Sequence, residues 1–485
     1  MTRRVVGLVL GPVLFFTVLL SPIFPTLTSE PRKTLACALL IATWWITEPI
    51  PIAVTSLLPL FLFPVFGIMP SARVAPNYTN HLVFLFLGGF VLAAGIEAVG
   101  LHRRIALVTL RFIGGSLPRI VLGFMLATAF LSMWVSNTAT VLMMLPIAMA
   151  VLKLTGDHLD GSAQKSLGTV LMLGIAYSAS IGGIGTLIGT PPNIVFSGLA
   201  QKLLPNHPEI TFTGWLAIGL PAVFLLLPIV WLYLTRFGGA TSLFSQKLPN
   251  EIRTALNRRY ADLGPMDSRE KAVLIVFLFT AFLWITRSPI QMGSLTIPGW
   301  SSLFPWKSFL HDSTVAIGAA VVLFLIHIGG KPILQWQETE DRIPWGVLLL
   351  FGGGFALAEA FQQSGLASWF GDCLSGLGAL PTLPLVFAVV LIMDLLTEVT
   401  SNTAITATML PIVATTAMAI GKDPLLLMIG ATLGASCAFA LPVATPPNAI
   451  VFASGEVSIQ QMAKTGIFVD LIAAVTLTAV VLVMA

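Results

Sequence analysis

The chain is 485 residues long, 56% hydrophobic and only 9% charged, against roughly 25% charged in an ordinary soluble domain, which describes a protein dissolved in lipid. A net charge of +4 from scattered Lys and Arg gives no footprint for a nucleic-acid partner. Three cysteines far apart in apolar stretches, Cys37, Cys373 and Cys437, argue against a disulfide framework or a Cys/His metal site.

A spanning helix needs about 17 to 25 apolar residues, and such stretches recur along the whole chain. The first, 5 to 22, follows Arg3 and Arg4; because Ser21-Pro22-Ile23-Phe24-Pro25 comes next instead of a small-residue cleavage site, it is a spanning helix and not a signal peptide. Further segments are predicted at 34 to 49, 52 to 68 and 80 to 99. The stretch 121 to 151 is too long for one span and too interrupted for two, so a re-entrant helical hairpin fits best. Segments at 168 to 199 and 212 to 236 follow, then one long polar connection, 238 to 270, near the midpoint. The second half repeats the plan with 271 to 287, 313 to 329, 345 to 362, a second hairpin at 384 to 419, then 424 to 454 and 464 to 484.

The resulting expectation is an all-α polytopic membrane protein with eleven transmembrane helices plus two re-entrant hairpins. With the N-terminus cytoplasmic and the C-terminus outside, only Arg32, Lys33, Arg73, Lys202, Arg287, Lys307 and Lys422 of the 25 Lys and Arg lie outside, as the positive-inside rule requires. The membrane expected is the plasma membrane, the inner membrane of a bacterium.

An internal repeat carries most of the information. Ser136-Asn137-Thr138-Ala139 followed by Met144-Leu145-Pro146-Ile147 returns as Ser401-Asn402-Thr403-Ala404 followed by Met409-Leu410-Pro411-Ile412, offset by 265. Gly189-Thr190-Pro191-Pro192-Asn193 returns as Ala444-Thr445-Pro446-Pro447-Asn448, offset by 255. A weaker echo pairs Leu87-Gly88-Gly89-Phe90 with Gly352-Gly353-Gly354-Phe355, each ahead of one acidic residue, Glu97 or Glu359. Five crossings separate corresponding points, an odd number, so the repeats are inverted, with the first hairpin cytoplasmic and the second outside.

Glycine and proline in membrane helices commonly serve packing and kinks, but here the helix-breaking residues recur in pairs. Broken helices meeting near the bilayer midplane are where secondary transporters place their substrate. Ser, Asn and Thr at a hairpin tip offer oxygens to a hard monovalent cation and N–H or O–H donors to a carboxylate. Neither motif contains Lys or Arg, so a dianion there must be met by neutral donors, helix N-termini and bound cations.

Other residues weigh less. Glu48, in Thr47-Glu48-Pro49-Ile50-Pro51, is structural and near an interface, with a lesser reading as a gate. Asp394 and Glu398 precede the second Ser-Asn-Thr, and intramembrane carboxylates are functional candidates; Glu398 is a candidate to tune cation affinity or relay a proton, but Met133 in its place in the first half breaks symmetry. The six histidines fall mostly in loops, and no nucleophile, HExxH or phosphate-loop pattern appears, which argues against a membrane enzyme. Asn77-Tyr78-Thr79 fits a glycosylation sequon of the kind that arises often by chance. A channel would favour repeated rings of ligands over two opposed hairpins.

On the two Ser-Asn-Thr and two Thr-Pro-Pro-Asn motifs the chain resembles the divalent anion/sodium symporter family of dicarboxylate, citrate and sulfate carriers, over nearly its whole length. The resemblance implies a homodimeric elevator-type transporter. Scaffold helices would be 1–117 and 271–380, transport-domain helices 118–237 and 381–485, joined by a cytoplasmic linker at 238–270. It implies one sodium site at Ser132, Ser136, Asn137 and Gly189 and another at Thr397, Thr400, Asn402 and Ala444, with backbone carbonyls contributing. Substrate carboxylates would meet Asn137, Thr138, Asn402 and Thr403, with Thr190, Pro191, Thr445 and Pro446 closing the site. The expected function is sodium-coupled symport of C4-dicarboxylates such as succinate, fumarate or malate; the alternatives are a sodium-independent dicarboxylate exchanger or a sulfate or tricarboxylate carrier of the same fold.

Overall fold

A computed structural model describes residues 3–20, 24–113, 116–156, 159–236, 250–292 and 295–484. The chain is a mostly helical, polytopic integral membrane protein. Among the described residues seven helical stretches are long and apolar enough to cross a bilayer: Arg3–Leu20, Ser71–Ala98, Asn137–Thr155, Gly161–Ile184, Phe212–Arg236, Trp345–Ser364 and Ile459–Val483. Shorter apolar helices accompany them, Leu117–Ser132, Asp312–Leu325, Thr382–Thr397 and Pro424–Ala435 included. Phe61, Phe224, Ile275, Phe279, Leu325 and Leu383 are exposed, as suits a surface that faces lipid.

Each half contributes one helix–turn–helix pair, one broken helix and one closing helix. In the first half the pair is Leu117–Ser132 with Asn137–Thr155, the broken helix is Gly161–Ile184 continued by Pro191–Leu203, and Phe212–Arg236 closes. In the second, Thr382–Thr397 and Asn402–Ala419 are followed by Pro424–Ala435, Pro446–Ala453 and Ile459–Val483. Prolines at the first two positions of both continuing helices explain the restart, since there a missing N–H costs nothing and φ is already helical.

The halves interlock. Asn137–Thr155 packs on Pro446–Ala453 of the other half, Asn402–Ala419 packs on Pro191–Leu203, and the two closing helices pack on each other. Gly161–Ile184 lies at the centre, buried on every side from Leu167 onward. Small residues permit the close approach: a methyl at Gly182 would strike the Ala129 backbone, and one at Gly219 would sit 2.5 Å from the Ile184 carbonyl oxygen.

Several helices stand where the sequence pointed to loops, Leu366–Leu374, Leu101–Ile113 and Asn250–Asp262 among them. Leu101–Ile113 is amphipathic, burying Leu101, Ala106, Leu107 and Leu110 beneath Arg103 and Arg111, and its charge hid it from a search for apolar runs. Asn250–Asp262 occupies the central polar connection, whose residues 238–249 lie outside those described. Arg104, on Leu101–Ile113, clasps Glu270 of the helix Ser268–Thr286 through two hydrogen bonds, 3.0 and 2.8 Å, and donates to the Gly264 carbonyl at 3.0 Å. The segment 52 to 68 is also broken, into Ile52–Thr55 and Leu58–Val65. Asn77 is a buried structural residue that donates to the backbone of Arg73 and to Glu359.

Candidate functional site

At the first tip Ser132 ends one helix, Asn137 starts the next, and the Ser136 hydroxyl caps it by accepting from Ala139 N at 3.2 Å. Ser132 Oγ lies 2.6 Å from Asn137 Oδ1 and 2.7 Å from the Ala179 carbonyl oxygen. The second tip copies this: Thr397 Oγ1 lies 2.6 Å from Asn402 Oδ1 and 3.1 Å from the Ala435 carbonyl oxygen. One hydroxyl has one hydrogen, so in each cluster three oxygens converge with a single hydrogen among them. A small hard cation is suited to such a set, because oxygen ligands are what it takes.

The unwound segments hold these clusters together. A methyl at Gly183 would sit 2.8 Å from Asn137 Oδ1, and one at Gly189 would sit 2.5 Å from the Gly183 carbonyl oxygen, so glycine is what lets the broken helix touch the tip. Thr186 Oγ1 donates to the Met133 carbonyl at 2.5 Å. Thr400 donates its hydroxyl hydrogen to the Leu396 carbonyl at 2.8 Å. Asn193 and Asn448 are fasteners: Asn193 Nδ2 donates to the carbonyls of Gly183, Ile184 and Thr186, and Asn448 Nδ2 to those of Ala438 and Leu441.

Between the tips lies a cavity of about 860 Å³. Asn137, Thr138, Thr190, Pro191, Asn402, Thr403, Thr445 and Pro446 all line it, as do Ser136, Gly189, Thr400 and Ala444. Ser132 and Thr397 stand fully buried behind the two asparagines. Four helices begin on its wall, at Asn137, Pro191, Asn402 and Pro446, so four positive dipole ends converge on one space. The first-turn N–H groups of the Asn137 and Asn402 helices have no intrahelical acceptor by position, whereas in the other two the paired prolines remove the first two such donors and leave those that follow. The motifs supply no Lys or Arg, yet Arg3 and Arg342 also line the cavity, with Glu48 and Glu97 nearby. Glu48 is the one non-glycine residue with positive φ, 48°, among those described, and it lies on this wall and not only at an interface.

Sequence reasoning missed Ala179 and Ala435, because any residue can offer a carbonyl and only the fold says which one does. Gly183 was visible as part of a glycine-rich run but had no distinguishing mark.

The family profile described as the sodium:sulfate symporter transmembrane region matches residues 2–484. A sodium-dependent dicarboxylate transporter, SdcS, from Staphylococcus saprophyticus is 43% identical over 486 residues, covering 99% of this chain and 91% of that protein. SdcS from Staphylococcus aureus strain MRSA252 is also 43% identical, with the same shares covered. Among solved structures, the Alcanivorax borkumensis YdaH transporter is similar in fold at a TM-score of 0.56 and 16% identity, covering 85% of this chain and 88% of that one. Neisseria gonorrhoeae MtrF reaches a TM-score of 0.58 at 12% identity, covering 91% and 96%. A match over nearly every residue, with the paired motifs gathered on one cavity, makes this chain a member of the sodium:sulfate symporter family.

Proposed function

We propose that this protein is a secondary active transporter that carries a C4-dicarboxylate such as succinate, fumarate or malate together with sodium. The observation that carries this reading is the convergence of four helix N-termini and two hydrogen-poor oxygen clusters on one cavity. Each helix start is equivalent to roughly +0.5 charge, so the four together offer on the order of two positive charges, the complement of a dianion. Sodium held at Ser132, Ser136, Asn137 and Gly189, with Ala179 beside them, and at Thr397, Thr400, Asn402 and Ala444, with Ala435, adds positive charge behind each substrate carboxylate. Asn137, Thr138, Asn402 and Thr403 then donate to the carboxylates, while Thr190, Pro191, Thr445 and Pro446 form the walls. The names of the SdcS relatives, at 43% identity over essentially the full chain, support both the ion and the substrate class.

In this reading the two helix–turn–helix pairs are re-entrant hairpins of opposite orientation, and 118–237 with 381–485 move as one body against a scaffold of 1–117 and 271–380. The interlocking of the two halves supports a single moving unit. With the N-terminus cytoplasmic, as this reading has it, Arg3, Glu97 and Arg342, which line the cavity, belong to its cytoplasmic end. A homodimer and a plasma-membrane location complete the proposal, carried by family resemblance.

Uptake of radiolabelled succinate into proteoliposomes tests it. An inward sodium gradient is expected to drive accumulation that choline or potassium does not; equal uptake in both refutes symport and leaves exchange.

A further inference from the structure

Beside the second tip lies a cluster that the transport reaction above does not use. Asp394, Glu398 and Asp470 each place a carboxylate oxygen within 4.8 Å of the others, all three buried. Glu398 accepts from the N–H groups of Ala440 and Leu441, both at 2.8 Å, and Asp470 Oδ1 accepts from Phe439 N at 3.1 Å. These donors belong to the unwound stretch that also supplies Ala444 to the cavity. Asp394 is different: it is 1% exposed, and neither of its oxygens has a hydrogen-bond partner. Among the described residues no Lys, Arg or His forms an ion pair with any of the three.

The repeat shows that the fold does not require acids here. The offset that pairs Ser132 with Thr397 pairs Ala129 with Asp394 and Met133 with Glu398. Gly219 packs against Ile184 and Gly185 as Gly466 packs against Phe439 and Ala440, which pairs Val223 with Asp470. The first half fills the place with an alanine, a methionine and a valine, while the second puts three carboxyl groups into the same packed interior. Buried carboxylates without partners are strongly unfavourable unless a proton neutralises them or a positive charge joins them, and one cation at their centre would meet all three. Oxygens about 2.3–2.6 Å from a hard cation lie at most about 5 Å apart, which is the spacing found.

We propose that Asp394, Glu398 and Asp470 hold a third sodium ion, present only in the second half, so that each cycle moves three sodium ions per dianion. This rests on the sodium-coupled reading above. The ion sits one residue from Thr397 and tethers the unwound 439–441 stretch to its helix, so its binding shapes the neighbouring substrate wall.

The test is the reversal potential of succinate flux in proteoliposomes, with opposed sodium and succinate gradients, which reads the coupling ratio directly. Wild type is expected to couple three sodium ions and to be accelerated by an inside-negative potential. Asp394→Asn is expected to couple two and to lose its response to voltage. A wild-type ratio of two, or an unchanged ratio of three in Asp394→Asn, overturns the proposal, as does a ratio of two with a co-transported proton. Should Asp394→Asn fail to fold, radioactive sodium bound per wild-type protomer at saturating succinate decides: three ions support the site and two overturn it. Wild-type uptake that ignores sodium overturns both readings, whereas a ratio of two overturns only this one.

Discussion

Replacing Gly183 by alanine tests whether the first oxygen cluster is a cation site without touching any ligand. The added methyl would lie 2.8 Å from Asn137 Oδ1, 3.2 Å from its Nδ2 and 3.3 Å from Thr190 Cβ. Asn137 cannot retreat, because Ser132 Oγ already stands 2.6 Å from Oδ1 on its other contact. Forcing a methyl into a well-packed site costs about 1–3 kcal/mol, and here that cost falls on the geometry that a bound ion needs. At 1.4 kcal/mol per decade, sodium affinity is expected to fall on the order of 5- to 150-fold. The assay is a sodium titration of succinate uptake in proteoliposomes, with Gly318→Ala as the companion because a methyl there meets nothing within 4 Å. Gly318→Ala is expected to keep the wild-type sodium dependence. A folded Gly183→Ala protein with the wild-type half-activating sodium concentration refutes the reasoning.

Four further outcomes are expected. Asn137→Ala and Asn402→Ala each nearly abolish transport while the protein still elutes as a single folded species, because both side chains face the cavity; normal transport by either at wild-type expression contradicts the site. Asn193→Ala and Asn448→Ala instead lower thermal stability by about 1–3 kcal/mol, since each strands backbone carbonyls in the interior, and a thermal-shift measurement shows whether they do. Arg104→Met leaves Glu270 buried and unpaired at a cost of about 3–5 kcal/mol, and adding Glu270→Leu recovers most of it in the same measurement. Cys373 is exposed while Cys37 and Cys437 are buried, so a membrane-impermeant maleimide labels the native protein from outside intact cells at Cys373; labelling only after permeabilisation reverses the orientation.

Much of the site was legible because it is written twice. Chance does not repeat Ser-Asn-Thr and Thr-Pro-Pro-Asn in the same order, and the fold brings all four motifs to one cavity. What escaped was whatever carries no side-chain signature. The carbonyls of Ala179 and Ala435 complete the oxygen clusters, yet alanine in a membrane helix looks like packing. Arg3 and Arg342 lie far from the motifs in sequence and reach the cavity only through tertiary structure. Leu101–Ile113 and Asn250–Asp262 were lost for the opposite reason: helices stabilised by one buried face, the first also by Arg104 on Glu270, do not stand out as unbroken apolar runs. Asp394 and Glu398 stood out in the sequence, but Asp470, some 70 residues away, joins them only in the fold.

The central claim, that sodium and substrate carboxylates share one site and stabilise each other there, is tested most directly by equilibrium binding of succinate to the purified protein across a range of sodium concentrations. Linkage requires sodium to strengthen succinate binding by the same factor by which succinate strengthens sodium binding, and the account predicts a factor of at least ten. Succinate affinity that stays constant from sodium-free to saturating sodium contradicts it.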